Sequence, residues 1–162
     1  MSETQTKVDH SVIRTNQATI IILLLIGFIL NFPWLVTLTA LVMIIGTVIK
    51  RPGFAFIYTS WLKPRNWVKP DVLQDNPEPH RFAQGFGAVV LTISTIALIT
   101  GAGVLGWALT WLVIALASLN LFIGFCAGCA VYYWLNRLKV PGFGKSAPVG
   151  TFPGMRPKAS SS

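Results

Sequence analysis

Four apolar runs dominate the chain, and the stretches between them differ sharply in character. The first extends from about Val12 to Leu30 and the second from Trp34 to Ile49, with only NFP between them. The third covers Phe82 to Thr100 and the fourth Leu105 to Leu135, divided by GAGVLG, whose glycines supply a turn. About 20 apolar residues cross the hydrocarbon core of a bilayer, so this pattern predicts an all-α membrane protein with four transmembrane helices arranged as two hairpins. The predicted organisation is a cytoplasmic tail at 1–11, a first hairpin at 12–49 and a cytoplasmic loop at 50–81. A second hairpin at 82–136 and a flexible cytoplasmic tail at 137–162 complete it. The fourth run is the odd one. At 1.5 Å per residue it would be ~46 Å long, beyond a core of about 30 Å, so it must tilt, bend or project.

Within the central loop, Phe54, Ile57, Tyr58, Trp61 and Leu62 recur at the spacing of an amphipathic helix, predicted over 53–63 and ended by Pro64. Such a helix lies in the interface and anchors the loop. The following PDVLQDNPEP carries Asp71, Asp75 and Glu78, but it reads as a solvated loop in which nothing holds the carboxylates in fixed geometry. The two hairpins enter the membrane alike, with RTNQ at Arg14 and RFAQ at Arg81, a short twofold echo.

Composition agrees with this layout: of 162 residues, 53% are hydrophobic and 11% charged, far from the quarter or so of charged residues in a soluble domain. No small-x-small cleavage site follows the first run, so it is read as an uncleaved span. The chain carries 13 Lys and Arg, and by this layout they all fall on one side of the membrane. Loops rich in Lys and Arg stay in the cytoplasm, which predicts that both termini are cytoplasmic. The net charge of +8 then reflects contact with the anionic headgroups of a lipid bilayer, not nucleic-acid binding. No ionisable residue lies deep in a span, where substrate and ion paths are normally marked.

Candidate chemistry is confined to GFCAGC, which holds both cysteines, Cys126 and Cys129, at the cytoplasmic end of the fourth run. Gly124 and Gly128 form a small-xxx-small pattern that admits a neighbouring backbone, and Asn120 calls for a hydrogen bond across helices, with Thr92 and Thr95 at matching depth. Three readings of the cysteines stand side by side. As inert small residues they simply pack. As a reversible dithiol they would draw on Arg14, Gln17, Arg81 and Gln84, which enter the membrane at a similar level and whose cations favour thiolate. In an unbroken helix their Cβ vectors are poorly aimed, so oxidation would require Gly124 or Gly128 to loosen the turn. As metal ligands they are half of a tetrahedral set, which His10 and His80 would have to complete from separate segments, and no metal is expected. His80 is read as a solvated helix-end residue, and no cofactor is assigned.

The RFAQ entrance, the long fourth run and NLFIGFCAGCAVYYW from Asn120 resemble a bacterial membrane family catalogued as domain of unknown function 4395, over about Val8 to Leu138. Arg81, Phe82, Gln84, Asn120, Gly124, Phe125, Cys126, Gly128, Cys129 and Tyr132 carry the likeness. It implies the four-helix architecture and a bacterial inner membrane. It also implies neighbourhood with thioredoxin-like and sulfurtransferase proteins, which favours thiol chemistry. Two functions follow. The preferred one is a non-catalytic accessory subunit of a larger membrane complex, such as an energy-transducing one, with other membrane-protein subunits as partners. The alternative is a thiol-redox or sulfur-carrier protein that uses Cys126 and Cys129 with a cytoplasmic thioredoxin-like partner.

Overall fold

The structure is a computed structural model that describes residues 6–148 and 150–157. Asp9 opens the first helix: its carboxylate accepts the Ser11 amide at 3.0 Å, satisfying a donor that the first turn would otherwise leave unpaired. From this cap α1 runs His10–Ile29, and after a turn through Asn31 in the left-handed conformation α2 runs Pro33–Val48, with Pro33 in its first turn. A short helix, α3 (Ala55–Ile57), passes into a π-helical turn at Tyr58–Leu62. The two long helices of the second half are α4 (Pro77–Ile99) and α5 (Gly103–Ser118), the latter prolonged by a π-helical turn at Leu119–Ile123. A final helix, α6, covers Ala127–Arg137.

Side chains from four helices build one core: Ile20 and Leu24 of α1, Val36, Ala40 and Met43 of α2, Leu91 of α4, and Val113 and Ile114 of α5, with Phe54 closing it from the loop. The outward faces stay apolar. Ile29 is 76% exposed, Val48 73%, Val104 90% and Phe122 79%, a surface that water would not tolerate but hydrocarbon does. Three helical stretches, His10–Ile29, Pro77–Ile99 and Gly103–Ile123, are long and apolar enough to cross a membrane, while Pro33–Val48 is apolar but shorter.

Several expectations need correction. The fourth apolar run is not one helix: Gly124 adopts φ 73° and stops the π-helical turn, so the cysteines stand at the start of α6 and not inside a long span. The cause is the left-handed backbone, which glycine enters without steric cost. The polar link between α4 and α5 is made not by Asn120 with Thr92 and Thr95 but by Ser94, whose hydroxyl donates to the Gly106 carbonyl at 2.7 Å and lies 2.8 Å from the Thr110 hydroxyl. Thr92 instead donates to the Ala88 carbonyl in its own helix.

The PDVLQDNPEP loop contains a strand, β2 (Val72–Asp75), antiparallel to β1 (Thr6–Asp9), with Asp9 opposite Val72. Of the proposed interfacial stripe, Phe54 and Tyr58 are buried inside the protein, Ile57 and Leu62 are half-buried, and Trp61 is exposed. The C-terminal tail, expected to be flexible, folds back on the rest where it is described. Phe143 stacks edge-on against Phe82 and Tyr132, the Asn76 side chain donates through Nδ2 to the Ser146 carbonyl at 2.9 Å, and Arg156 pairs with Asp71.

Gly128 supports its expected role in packing α6 against α4, since a Cβ there would lie 2.5 Å from Ala83 Cβ and 2.7 Å from Ala83 Cα. We expect Gly128→Val to cost about 1–3 kcal/mol by overpacking, whereas Gly103→Ala, in open space, leaves stability unchanged. Thermal unfolding in a mild detergent checks the pair; equal melting temperatures for both variants would contradict this packing.

Candidate functional site

The break at Gly124 decides what the cysteines can do. With the backbone turned, Cys126 takes an extended conformation as the N-cap of α6, and its sulfur accepts the Cys129 amide at 3.2 Å. The two Cα atoms are 5.2 Å apart and the sulfurs are joined as a disulfide. The loosened turn required for oxidation is therefore present, at Gly124 and not at Gly128. A segment of the C-terminal tail closes over this turn: the Cys126 amide donates to the Gly154 carbonyl at 2.8 Å, and the Arg156 amide to the Gly124 carbonyl at 2.9 Å.

His80, in the first turn of α4, faces the disulfide. Its Nδ1 lies 3.4 Å from Cys129 Sγ, and its Nε2 lies 2.9 Å from Asp75 Oδ2. Asp75 ends β2, and the pairing of β2 with β1 brings it to the start of α1, where His10 Nε2 lies 3.0 Å from the same carboxylate oxygen. That second approach is an ion-pair contact without hydrogen-bond alignment, and among the described residues His10 Nε2 has no hydrogen-bond partner. The two imidazoles meet edge to face, with centroids 5.5 Å apart.

Asp75 is 4% exposed. Burial by itself raises a carboxylate pKa, but the close His10 imidazole, the hydrogen bond and charge of His80 and the backbone amide of Asn76 outweigh it and hold Asp75 well below the usual carboxylate range. An ionised carboxylate only accepts, which assigns the Nε2 proton of His80 to Asp75 and turns a Nδ1 lone pair toward Cys129 when the ring is neutral. Beside them Tyr133 is pushed up to about 12, first by burial and then by the charges of Asp75 and Glu78, so it stays a neutral phenol.

A cavity of about 390 Å³ opens beside the disulfide, lined by His10, Arg14, Asp75, His80, Asn120 and Tyr133 among others. A second, of about 470 Å³, is walled by Lys7, Gln17, Lys50, Arg51, Arg81 and Gln84 and shares Cys126 and His80 with the first. All four residues proposed as the thiol's environment thus reach the cavities that Cys126 borders, Arg14 in the first and Gln17, Arg81 and Gln84 in the second. None of them is in direct hydrogen-bond contact with sulfur among the described residues. Gln84 has a structural task as well, accepting the Gly53 amide at 3.2 Å and donating to the Met43 carbonyl at 3.1 Å.

His80 and Asp75 correct the sequence reading. The histidine is not a solvated helix end, and one of the three loop carboxylates is firmly held. A signal was available: each histidine stands just before a long apolar run, beside the RTNQ and RFAQ stretches. A family model described as Domain of unknown function (DUF4395) matches residues 8–137, a span that includes His10, Asp75, His80 and both cysteines. No curated protein and no solved structure matches the chain.

The depressed Asp75 carboxylate has a consequence with a definite sign. Its stabilisation is complete above the ordinary carboxylate value near 4 and is lost as pH falls below that value. Asp75→Asn is expected to cost about 1–3 kcal/mol at neutral pH, by leaving buried imidazole donors short of an anion, and to flatten the acid limb of the stability curve. Thermal unfolding in detergent across that range measures both; an unaltered acid limb in the variant would contradict the assignment.

Proposed function

The chain belongs to the DUF4395 family, and from that premise we propose that it is a membrane thiol–disulfide exchange protein whose working pair is Cys126 and Cys129. The observation that carries the proposal is the line Asp75–His80–Cys129, with 2.9 Å and 3.4 Å between successive heavy atoms. A carboxylate orienting an imidazole that faces a sulfur is the arrangement that moves a proton to or from a thiol. A purely structural cysteine pair has no use for it.

The two sulfurs have different tasks. Cys126 caps a helix, where backbone amides and the positive end of the helix dipole favour thiolate, and it borders both cavities. It is the sulfur that an incoming thiolate attacks. As that bond forms, the Cys126–Cys129 bond breaks and Cys129 leaves with the electron pair, taking its proton through His80. A second thiol of the same partner then attacks the mixed disulfide and releases Cys126. Two electrons and two protons pass in all: the partner dithiol becomes a disulfide and this chain becomes a dithiol, and the reverse sequence oxidises it again. A protein of thioredoxin-like chemistry, with two neighbouring thiols, fits that stoichiometry.

The proposed setting is a bacterial inner membrane crossed four times, α2 being the shortest crossing, with both termini and the sulfur site on the cytoplasmic side. The distribution of Lys and Arg supports this orientation. In that reducing compartment the disulfide is one half of a cycle and not a permanent staple. The accessory-subunit reading draws on the outward apolar faces of Ile29, Val48 and Phe122, which lipid alone also accounts for.

In this scheme Cys129→Ser, through its remaining Cys126 thiolate, accumulates a mixed disulfide with a single-cysteine thioredoxin activated as its thionitrobenzoate disulfide, expelling thionitrobenzoate, and Cys126→Ser accumulates none. His80→Ala slows reduction of the native disulfide on the order of 10²-fold. Non-reducing electrophoresis and timed alkylation of the full chain in detergent read these outcomes; equal trapping by both serine variants, or an unchanged rate in His80→Ala, would sink the scheme. Orientation has its own measurement: a terminal tag should resist protease in intact cells and be cut in inverted vesicles.

A further inference from the structure

Cys126, Cys129 and His80 place their ligand atoms within 4.8 Å of one another. We propose that in the dithiol state these three residues bind a divalent cation of the zinc class, leaving a fourth coordination position open to the cavity of about 390 Å³. The inference rests on the preceding one in a single respect, that the disulfide opens reversibly.

Distances support the chemistry. With Zn–S near 2.3 Å and Zn–N near 2.0–2.1 Å, tetrahedral geometry sets a sulfur and a nitrogen about 3.6 Å apart. Cys129 Sγ and His80 Nδ1 already stand 3.4 Å apart. Once the S–S bond is reduced, the two sulfurs have only to separate to the corresponding tetrahedral spacing, about 3.8 Å. The Cys-x-x-Cys spacing opening a helix suits this, and the Cys129 amide already donates to Cys126 Sγ at 3.2 Å, which would stabilise that sulfur as a thiolate ligand.

The surroundings supply what a ligand histidine requires. A metal-bound imidazole generally gives its other N–H to a carboxylate, which fixes its orientation and raises its basicity, and His80 Nε2 meets Asp75 in this way at 2.9 Å. A second cluster, His10, Asp75 and His80, is equally tight but would leave the sulfurs out and spend the orienting carboxylate as a ligand. Charge favours the sulfur set as well. Two thiolates cancel the two charges of the ion, so Arg14 and Arg156 on the cavity wall face a neutral centre and favour water or a small anion at the fourth position. Three protein ligands with one open position is the pattern of a reactive zinc centre; structural zinc sites are closed by four.

Binding balances as two thiols plus one divalent ion giving a dithiolate complex and two released protons. The disulfide form has no thiolate to offer, so oxidation and metal occupancy exclude each other.

The test uses the full chain in mild detergent and cobalt(II) as the spectroscopic probe. Native reduction followed by thiol counting comes first and is expected to release two thiols per chain. Anaerobic addition of cobalt(II), after removal of the reductant, is then expected to give the visible bands of a tetrahedral ion and thiolate-to-cobalt charge transfer at one ion per chain, displaced by zinc and absent after reoxidation. Cys126→Ser and Cys129→Ser each abolish the charge-transfer spectrum of the paired thiolates, and Asp75→Asn weakens binding roughly 10–100-fold. Two free thiols without a cobalt spectrum overturn the metal site and leave the redox scheme standing, as does a spectrum indifferent to oxidation. Failure to release thiols overturns both.

Discussion

A carboxylate removed from water stays ionised only where donors surround it, and the arrangement of this protein around its sulfur atoms follows from that requirement at Asp75. The carboxylate is reached by His10 at the head of α1, by His80 in the first turn of α4 and by the backbone amide of Asn76, the next residue. Two stretches distant in sequence, the head of α1 and residues 75–80, are thereby fixed at one point. The two-stranded sheet is the device that delivers Asp75 there, and Asp9 reinforces it by capping α1 while accepting the Asp71 amide at 3.1 Å. Without the sheet, His80 would be a lone imidazole beside sulfur, with neither tautomer nor orientation imposed.

The second determinant is backbone conformation at Gly124. A helix running straight through GFCAGC would bury both sulfurs among apolar neighbours and point them apart. The left-handed residue instead starts a new helix, so the same two side chains acquire a shared bond, an amide donor and a border with two cavities. Close contact between Gly128 and Ala83 then presses α6 against α4, the helix that carries His80. Small residues thus do two unlike things within five positions, one bending the chain and the other letting it approach a neighbour.

Much of this architecture was legible in the sequence because hydropathy is additive along a chain: the apolar runs mark α1, α2, α4 and α5, and the small-xxx-small spacing marks the α4–α6 contact through Gly128. The family match bears out the resemblance carried by RFAQ and by the motif around the cysteines. The helix break was not legible, because an apolar run containing one glycine looks the same whether that glycine is helical or left-handed. Nor was the pairing of Thr6–Asp9 with Val72–Asp75, which depends on long-range closure and involves strands of only four residues each. The setting of His80 was not legible for a related reason: an imidazole at a helix start is solvated or held according to its partner, and the partner, Asp75, lies in a stretch that reads as loop. Asn120 was credited with a bond that Ser94 and Thr110 make, since depth along the membrane does not specify which way a side chain faces.

The tail lies outside the residues matched to the family, yet its Gly154 carbonyl holds the Cys126 amide and its Arg156 is paired with Asp71. A tethered segment occupies its own site at an effective concentration in the millimolar range. Any macromolecule that needs Cys126 must therefore outcompete a resident intramolecular occupant, which penalises casual encounters and rewards partners that bring enough binding energy of their own to displace it.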